Sequence, residues 1–105
     1  MGSTVRKAAP RKMDEGRAER LAEILKGIAH PLRLRLVAAL CQGDHNVTDL
    51  TEMLGVRQAA VSQHLAPLRL LGLVSVDRTG GKATYSLAEP HLRNLVDCLL
   101  GCRNR

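Results

Sequence analysis

Two thiols close the chain in DCLLGC, residues 97 to 102, and a third stands at Cys41. On a helix, Cys98 and Cys102 fall about 40° apart on one stripe and roughly 6 Å along the axis. That spacing lets them share a soft ion or a short sulfur chain, whereas a direct bond between them would constrain only one helix. Three sulfurs are a suitable count for trivalent arsenic. The second stretch with usable chemistry is RQAAVSQHLAPLRLL, residues 57 to 71. At helical spacing Val61, Leu65, Leu68 and Leu71 share one face, and Gln58, Ala59, Ser62, Gln63 and Arg69 the other. Gln pairs bidentately with adenine, Ser donates or accepts at base edges, and Ala contacts a thymine methyl, so this face suits a major groove. His64 is a candidate phosphate contact, or else a plain surface histidine.

Periodicity defines the elements that must hold these groups. Leu21, Ile24, Leu25 and Ile28 recur near every 3.6 residues in a helix that starts at Asp14 and breaks at His30-Pro31. PLRLRLVAALC forms a second helix to Cys41, with Pro31 tolerated at its first position. Asn46 to Thr48 supply capping residues for a short third helix, TDLTEML, which Gly55 ends. Gly72 closes the fourth. The period then falls to 2, with Val74 and Val76 alternating against Ala83, Tyr85 and Leu87 across Gly80-Gly81, a hairpin signal. Pro90 opens a last helix with Leu92, Leu95, Val96, Leu99 and Leu100 on its apolar side. The order predicts a mainly α protein with a small β-hairpin. Two helices joined by a tight Gly turn and followed by a hairpin make a winged helix-turn-helix. Arg78 and Lys82 flank the hairpin tip, where a neighbouring DNA backbone or minor groove would lie.

A chain of 105 residues predicts one domain, and Tyr85 is its only aromatic residue, so the core must be built from Leu, Val, Ile and Ala. So short a chain buries a modest fraction of its surface, and a second copy is the expected source of more core. The stripes at Leu21, Ile24 and Leu25 and at Leu92, Leu95, Val96 and Leu99 predict a homodimer through the first and last helices. A net charge of +6 points to an anionic partner, nucleic acid first. Arg6, Lys7, Arg11 and Lys12 mark residues 1–13 as a basic flexible arm, either a solubilising tail or a phosphate-contacting one; residues 14–105 form the DNA-binding and dimerisation domain. No apolar run approaches the roughly 20 residues that span a bilayer, and no secretion signal is evident, so the expectation is a cytoplasmic protein with reduced thiols and no membrane partner. Without a Gly-rich phosphate loop, a paired carboxylate cleft or a Ser-His-Asp set, an enzyme is not expected. The rival of another class is a non-sensing helix-turn-helix module that binds protein rather than DNA.

GIAHPLRLRLVAAL, VTDLTEMLGVRQAAVSQHLAPLRLLGLV and RTGGKATYSL resemble the ArsR/SmtB family of small bacterial repressors, over roughly Ala22 to Cys102. The resemblance implies a homodimeric winged-helix repressor on double-stranded operator DNA. A small inorganic inducer (a metal, a metalloid or a reactive sulfur species) would release it. Two positions depart from the pattern. Arg57 stands where a capping Ser is common, and Pro67 removes the N–H bond back to Gln63 and is expected to kink the recognition helix. The family's thiol metal site in the preceding helix is missing, because VTDLTEML holds no Cys. Its site near the start of the last helix is half present as Glu89-Pro90-His91, with Cys102 eleven residues on and Arg105 where another ligand would fall. A zinc site is thereby impaired, leaving Glu89 and His91 with the partner's Cys102, or the thiols of Cys98 and Cys102 with or without His91, for a softer ion, the only cofactor expected. A third family pattern senses persulfides or oxidants with one thiol ending the second helix and one in the last. Cys41 matches the first place, and Cys102, or less well Cys98, the second. The alternative makes Cys41 and Cys98 small buried hydrophobes.

Overall fold

A computed structural model describes residues 13–100. Each of the first three helices begins where a side chain accepts an otherwise orphaned backbone N–H. The Asp14 carboxylate takes the Arg17 N–H at 2.8 Å and starts α1 (Glu15–Ile28). His30 Nδ1 takes the Leu32 N–H at 3.1 Å and starts α2 (Pro31–Gln42). The Asn46 amide oxygen takes the Asp49 N–H at 2.8 Å and starts α3 (Val47–Leu54). Gly55, at φ 66°, ends α3 in a left-handed conformation that would cost a side-chain-bearing residue roughly 1–2 kcal/mol. Asn46→Ala should therefore destabilise the fold by about 1 kcal/mol, which lowers Tm by roughly 4–8 °C in a domain of this size. An unchanged thermal melt would remove Asn46 from the capping role.

After the Gly55 turn, α4 (Gln58–Leu70) continues through Pro67, which lies inside the helix. The proline sits in the last turn, so only one backbone bond is lost, and its own carbonyl still accepts the Leu71 N–H at 3.1 Å. Leu71 falls just outside the helix as its C-terminal cap rather than on the helical core face. There it meets Gly27 of α1: a Cβ on Gly27 would lie 2.4 Å from Leu71 Cδ1, so the glycine lets α1 approach the exit of α4.

Strands β2 (Val74–Asp77) and β3 (Thr84–Leu87) form the expected antiparallel hairpin, with Val74 opposite Leu87 and Val76 opposite Tyr85. Gly80 and Gly81, at φ 77° and 82°, supply the turn. The sheet has one strand more than expected. His45–Asn46, β1, pairs with β3 in the order β1-β3-β2, His45 facing Tyr85. Two residues are too few to show alternation in sequence. Because Asn46 both pairs with β3 and caps α3, the wing and the helix-turn-helix are tied at one residue.

The last helix is α5 (Pro90–Leu100), and α1, α3, α4, α5 and β3 all pack on α2. Leu36, Val37 and Leu40 of α2 meet Leu50, Val61, Leu65, Leu68, Leu73 and Leu92 in the core, each at most 1% exposed. Each such side chain contributes about 1.5–3 kcal/mol of transfer free energy. The stripes expected to dimerise are thereby divided. Ile24, Leu92 and Val96 are consumed by the chain's own core, Leu21 and Leu95 are half-buried against it, and Leu25 and Leu99 remain 51% and 66% exposed. An apolar face more than 100° wide reaches both the core and the solvent beside it. No helix among the described residues is long and apolar enough to cross a membrane.

Candidate nucleic-acid interface

Packing of Val61, Leu65 and Leu68 into the core orients α4, because residues three and four apart lie on one face. The opposite side is then forced outward. Gln58, Ala59, Ser62, Gln63 and Arg69 are all exposed, as the periodicity predicted. His64 differs. It is half-buried, its Nδ1 accepts from Arg33 Nε at 3.2 Å, and its ring centroid lies 4.3 Å from that of His30. Burial, His30 and Arg33 together push its pKa below the usual imidazole range, so it is neutral at pH 7 and brings no positive charge to a phosphate.

At the wing tip Arg78 and Lys82 are exposed on either side of Gly80-Gly81. Asp77 accepts the Thr79 N–H at 2.9 Å and the Thr79 hydroxyl, and these bonds hold its carboxyl below the usual range. The tip is thus pinned by the one acid beside it. The cations from α2 onward divide by partner. Arg33 binds His64 and the Gly27 carbonyl, Arg35 the Leu54 carbonyl, and Arg93 the Cys41 carbonyl. Arg57, Arg69, Arg78 and Lys82 have no hydrogen-bond or ion-pair partner among the described residues, and all four belong to α4, its cap or the wing. Arg57 adds to the contacts expected from the sequence, where its residue type marks it only as a poor cap. It caps with no side-chain hydrogen bond, and the signal that could have found it is its charge beside Gln58.

The thiols occupy different settings. Cys41 is half-buried at the end of α2 and packs on the core. Burial pushes its thiol pKa up, Arg93 pulls it down and Asp97 pushes it up. Cys98 is exposed on α5 of the single chain. Cys102, with Arg103 and Arg105, lies outside the described residues, as does the basic arm apart from Met13. Glu89 and His91 satisfy each other: Glu89 Oε2 lies 2.8 Å from His91 Nδ1, and Arg20 Nη2 stands 3.6 Å from Glu89 Oε1. These contacts, the His91 bonds first, lower the Glu89 pKa. Cys98 is two turns beyond His91, roughly 10 Å along the helix. Among the described residues of the single chain no three His, Cys, Asp or Glu side chains cluster to hold a metal, and Cys102, which the expected soft-ion site includes, lies outside them.

Residues 30–76, from the α2 cap to β2, match the pattern described as bacterial regulatory protein, arsR family. The HTH-type transcriptional regulator NmtR of Mycobacterium tuberculosis is 42% identical over 92 residues, which cover 88% of this chain and 75% of that protein. The chain belongs to the ArsR family. A biofilm growth-associated repressor of Agrobacterium fabrum is 40% identical to this ArsR-family protein, over 81% of this chain and 73% of its own. The crystal structure of the transcriptional repressor BigR from Xylella fastidiosa superposes with a TM-score of 0.78 at 36% identity, covering 84% and 90% of the two chains. The ArsR-family chain is accordingly a winged helix-turn-helix transcriptional regulator, with α3 and α4 as the helix-turn-helix and β2–β3 as the wing.

Proposed function

We propose that this ArsR-family protein is a dimeric repressor that reads an inverted-repeat operator with α4 and the wing, and leaves it in response to a thiol-directed signal. The observation that carries the reading is the division of its cations from α2 onward. Those of α2 and α5 are spent on backbone carbonyls and His64, while those of the α4 and wing face are left for an external anion. Gln58, Ala59, Ser62 and Gln63 lie exposed between them with the groups that distinguish base edges. Charge supplies attraction to any DNA, and the amide and hydroxyl groups supply choice among sequences.

Two copies are needed to match two half-sites, and the face left for them is a groove lined by Leu21, Ile24, Leu25, Leu92 and Leu95 with His91 at its edge, and with Leu99 and Leu100 exposed beyond it. For the signal, Cys41 is the fixed thiol, set where α2 meets α5. The mutual satisfaction of Glu89 and His91 makes a soft ion the weaker reading.

Gln63→Ala should cost about 1–3 kcal/mol on the operator and little on unselected DNA. Lys82→Ala should weaken both alike and flatten the salt dependence by about one unit. Gel shifts on the chain's own upstream region at two salt concentrations measure both. Equal losses from Gln63→Ala on operator and unselected DNA would refute base reading by α4, and the absence of any shift would favour a protein partner.

A further inference from the structure

We infer that Arg57 is a specificity-determining residue that reads guanine in each half-site; this rests on the DNA reading above and extends it to a side chain no motif assigns. Arg57 is exposed and bonds neither to its own helix nor to any other described residue. It lines one concavity with Val56, Ala59, Ala60 and Gln63. The walls are small and apolar apart from Gln63, so a base edge can approach closely, and the only charged group there is the guanidinium. A planar fork of five donors matches the O6 and N7 acceptors that guanine presents in the major groove. Gln63 shares the concavity, so the Arg57 fork and a base-reading amide are offered to one ligand surface.

The residue is also a poor choice for folding. Asp14, His30 and Asn46 each cap their helix with a side-chain acceptor, whereas Arg57 offers none and adds a cation at the positive end of α4. Both features oppose the helix and both favour an approaching polyanion. Stability and DNA recognition therefore pull in opposite directions at this position, and that opposition is measurable.

Enrichment of a random-sequence duplex library by the wild-type protein defines the preferred half-site. Fluorescence anisotropy then compares Arg57→Ala, Arg57→Lys and Arg57→Ser on that duplex, on its single-base variants and on unselected DNA. Arg57→Ala should weaken binding to the enriched site roughly 5- to 150-fold and abolish discrimination at one G·C pair per half-site, with a much smaller loss on unselected DNA. Arg57→Lys, which keeps the charge without the fork, should not restore that discrimination. Arg57→Ser regains a cap, so its Tm should rise by a few degrees while its affinity falls as in Arg57→Ala. Equal losses on both DNAs with full rescue by Lys would make Arg57 a phosphate contact and overturn the assignment. Unchanged binding by Arg57→Ala to an enriched site would overturn it while leaving the DNA reading intact. A wild-type protein that enriches no sequence would overturn both.

Discussion

Leu95→Glu should yield a folded monomer that has lost tight operator binding. Leu95 is half-buried on α5 and lines the α1–α5 groove, while the neighbouring Leu92 and Val96, 1% and 5% exposed, already hold α5 to the core of its own chain. The helix therefore stays docked when Leu95 changes. In a two-fold dimer one substitution enters the interface twice, so two carboxylates would be desolvated against apolar partners and set near each other. Losing the second half-site removes the gain from bivalent binding, which is typically 10²–10⁴-fold in affinity. Sedimentation at micromolar concentration should find dimeric wild type and monomeric variant, with helical circular dichroism retained. A wild type that sediments as a folded monomer, or a variant that remains dimeric, would refute the assigned face. Leu92→Glu is the contrasting control, since it should unfold the chain.

Cys41→Ser and Cys102→Ser should each abolish release from DNA by polysulfide while leaving the affinity of the reduced protein unchanged. Cys41 ends α2, where Arg93 of α5 donates to its carbonyl oxygen, so a covalent link from this thiol acts on the α2–α5 contact itself. With its pKa raised by burial, Cys41 is mostly protonated at pH 7 and is not the first thiol to react. On this proposal the second thiol attacks first, and Cys41 resolves the product. In balance, two thiols give two protons and two electrons to one S–S bond of the polysulfide, whose fragments leave as hydrogen sulfide and a polysulfide one sulfur shorter, and a disulfide joins Cys41 to the second thiol. Drawing α5 toward the end of α2 would change the spacing of the two α4 helices across the dimer. Gel shifts with polysulfide, arsenite, zinc and cadmium test this. If the double variant Cys41→Ser, Cys102→Ser is released normally by every one of them, the cysteines are structural.

Much of the scaffold was legible because it depends on local chemistry. The 3.6-residue spacing of apolar side chains, the Asn46 cap and Gly55 placed α3, and the period of 2 across Gly80-Gly81 placed the β2–β3 hairpin. The same periodicity turned Gln58, Ser62 and Gln63 outward, because burying Val61 and Leu65 leaves a helix no other orientation. Pro67 falls inside α4, as its place in the pattern implied, and near a helix end its missing N–H costs one bond and not the element.

Other features were settled only in three dimensions. β1 exists because Tyr85 of β3 comes beside His45, and a two-residue strand has no pattern of its own. His64 belongs to a cluster with Arg33 and His30, residues 31 and 34 positions away, so its local helix could not reveal its burial or its neutrality. Which apolar residues of α1 and α5 enter the chain's own core was likewise undetermined, since hydrophobicity is the same for Leu92 and Leu99 and only their distance from α2 separates 1% from 66% exposure. The cations of α4 and the wing became a candidate binding face once packing had paired Arg33, Arg35 and Arg93 elsewhere. Sequence determines what a side chain can bond to; the tertiary structure decides which partners come within reach and which groups remain free for DNA.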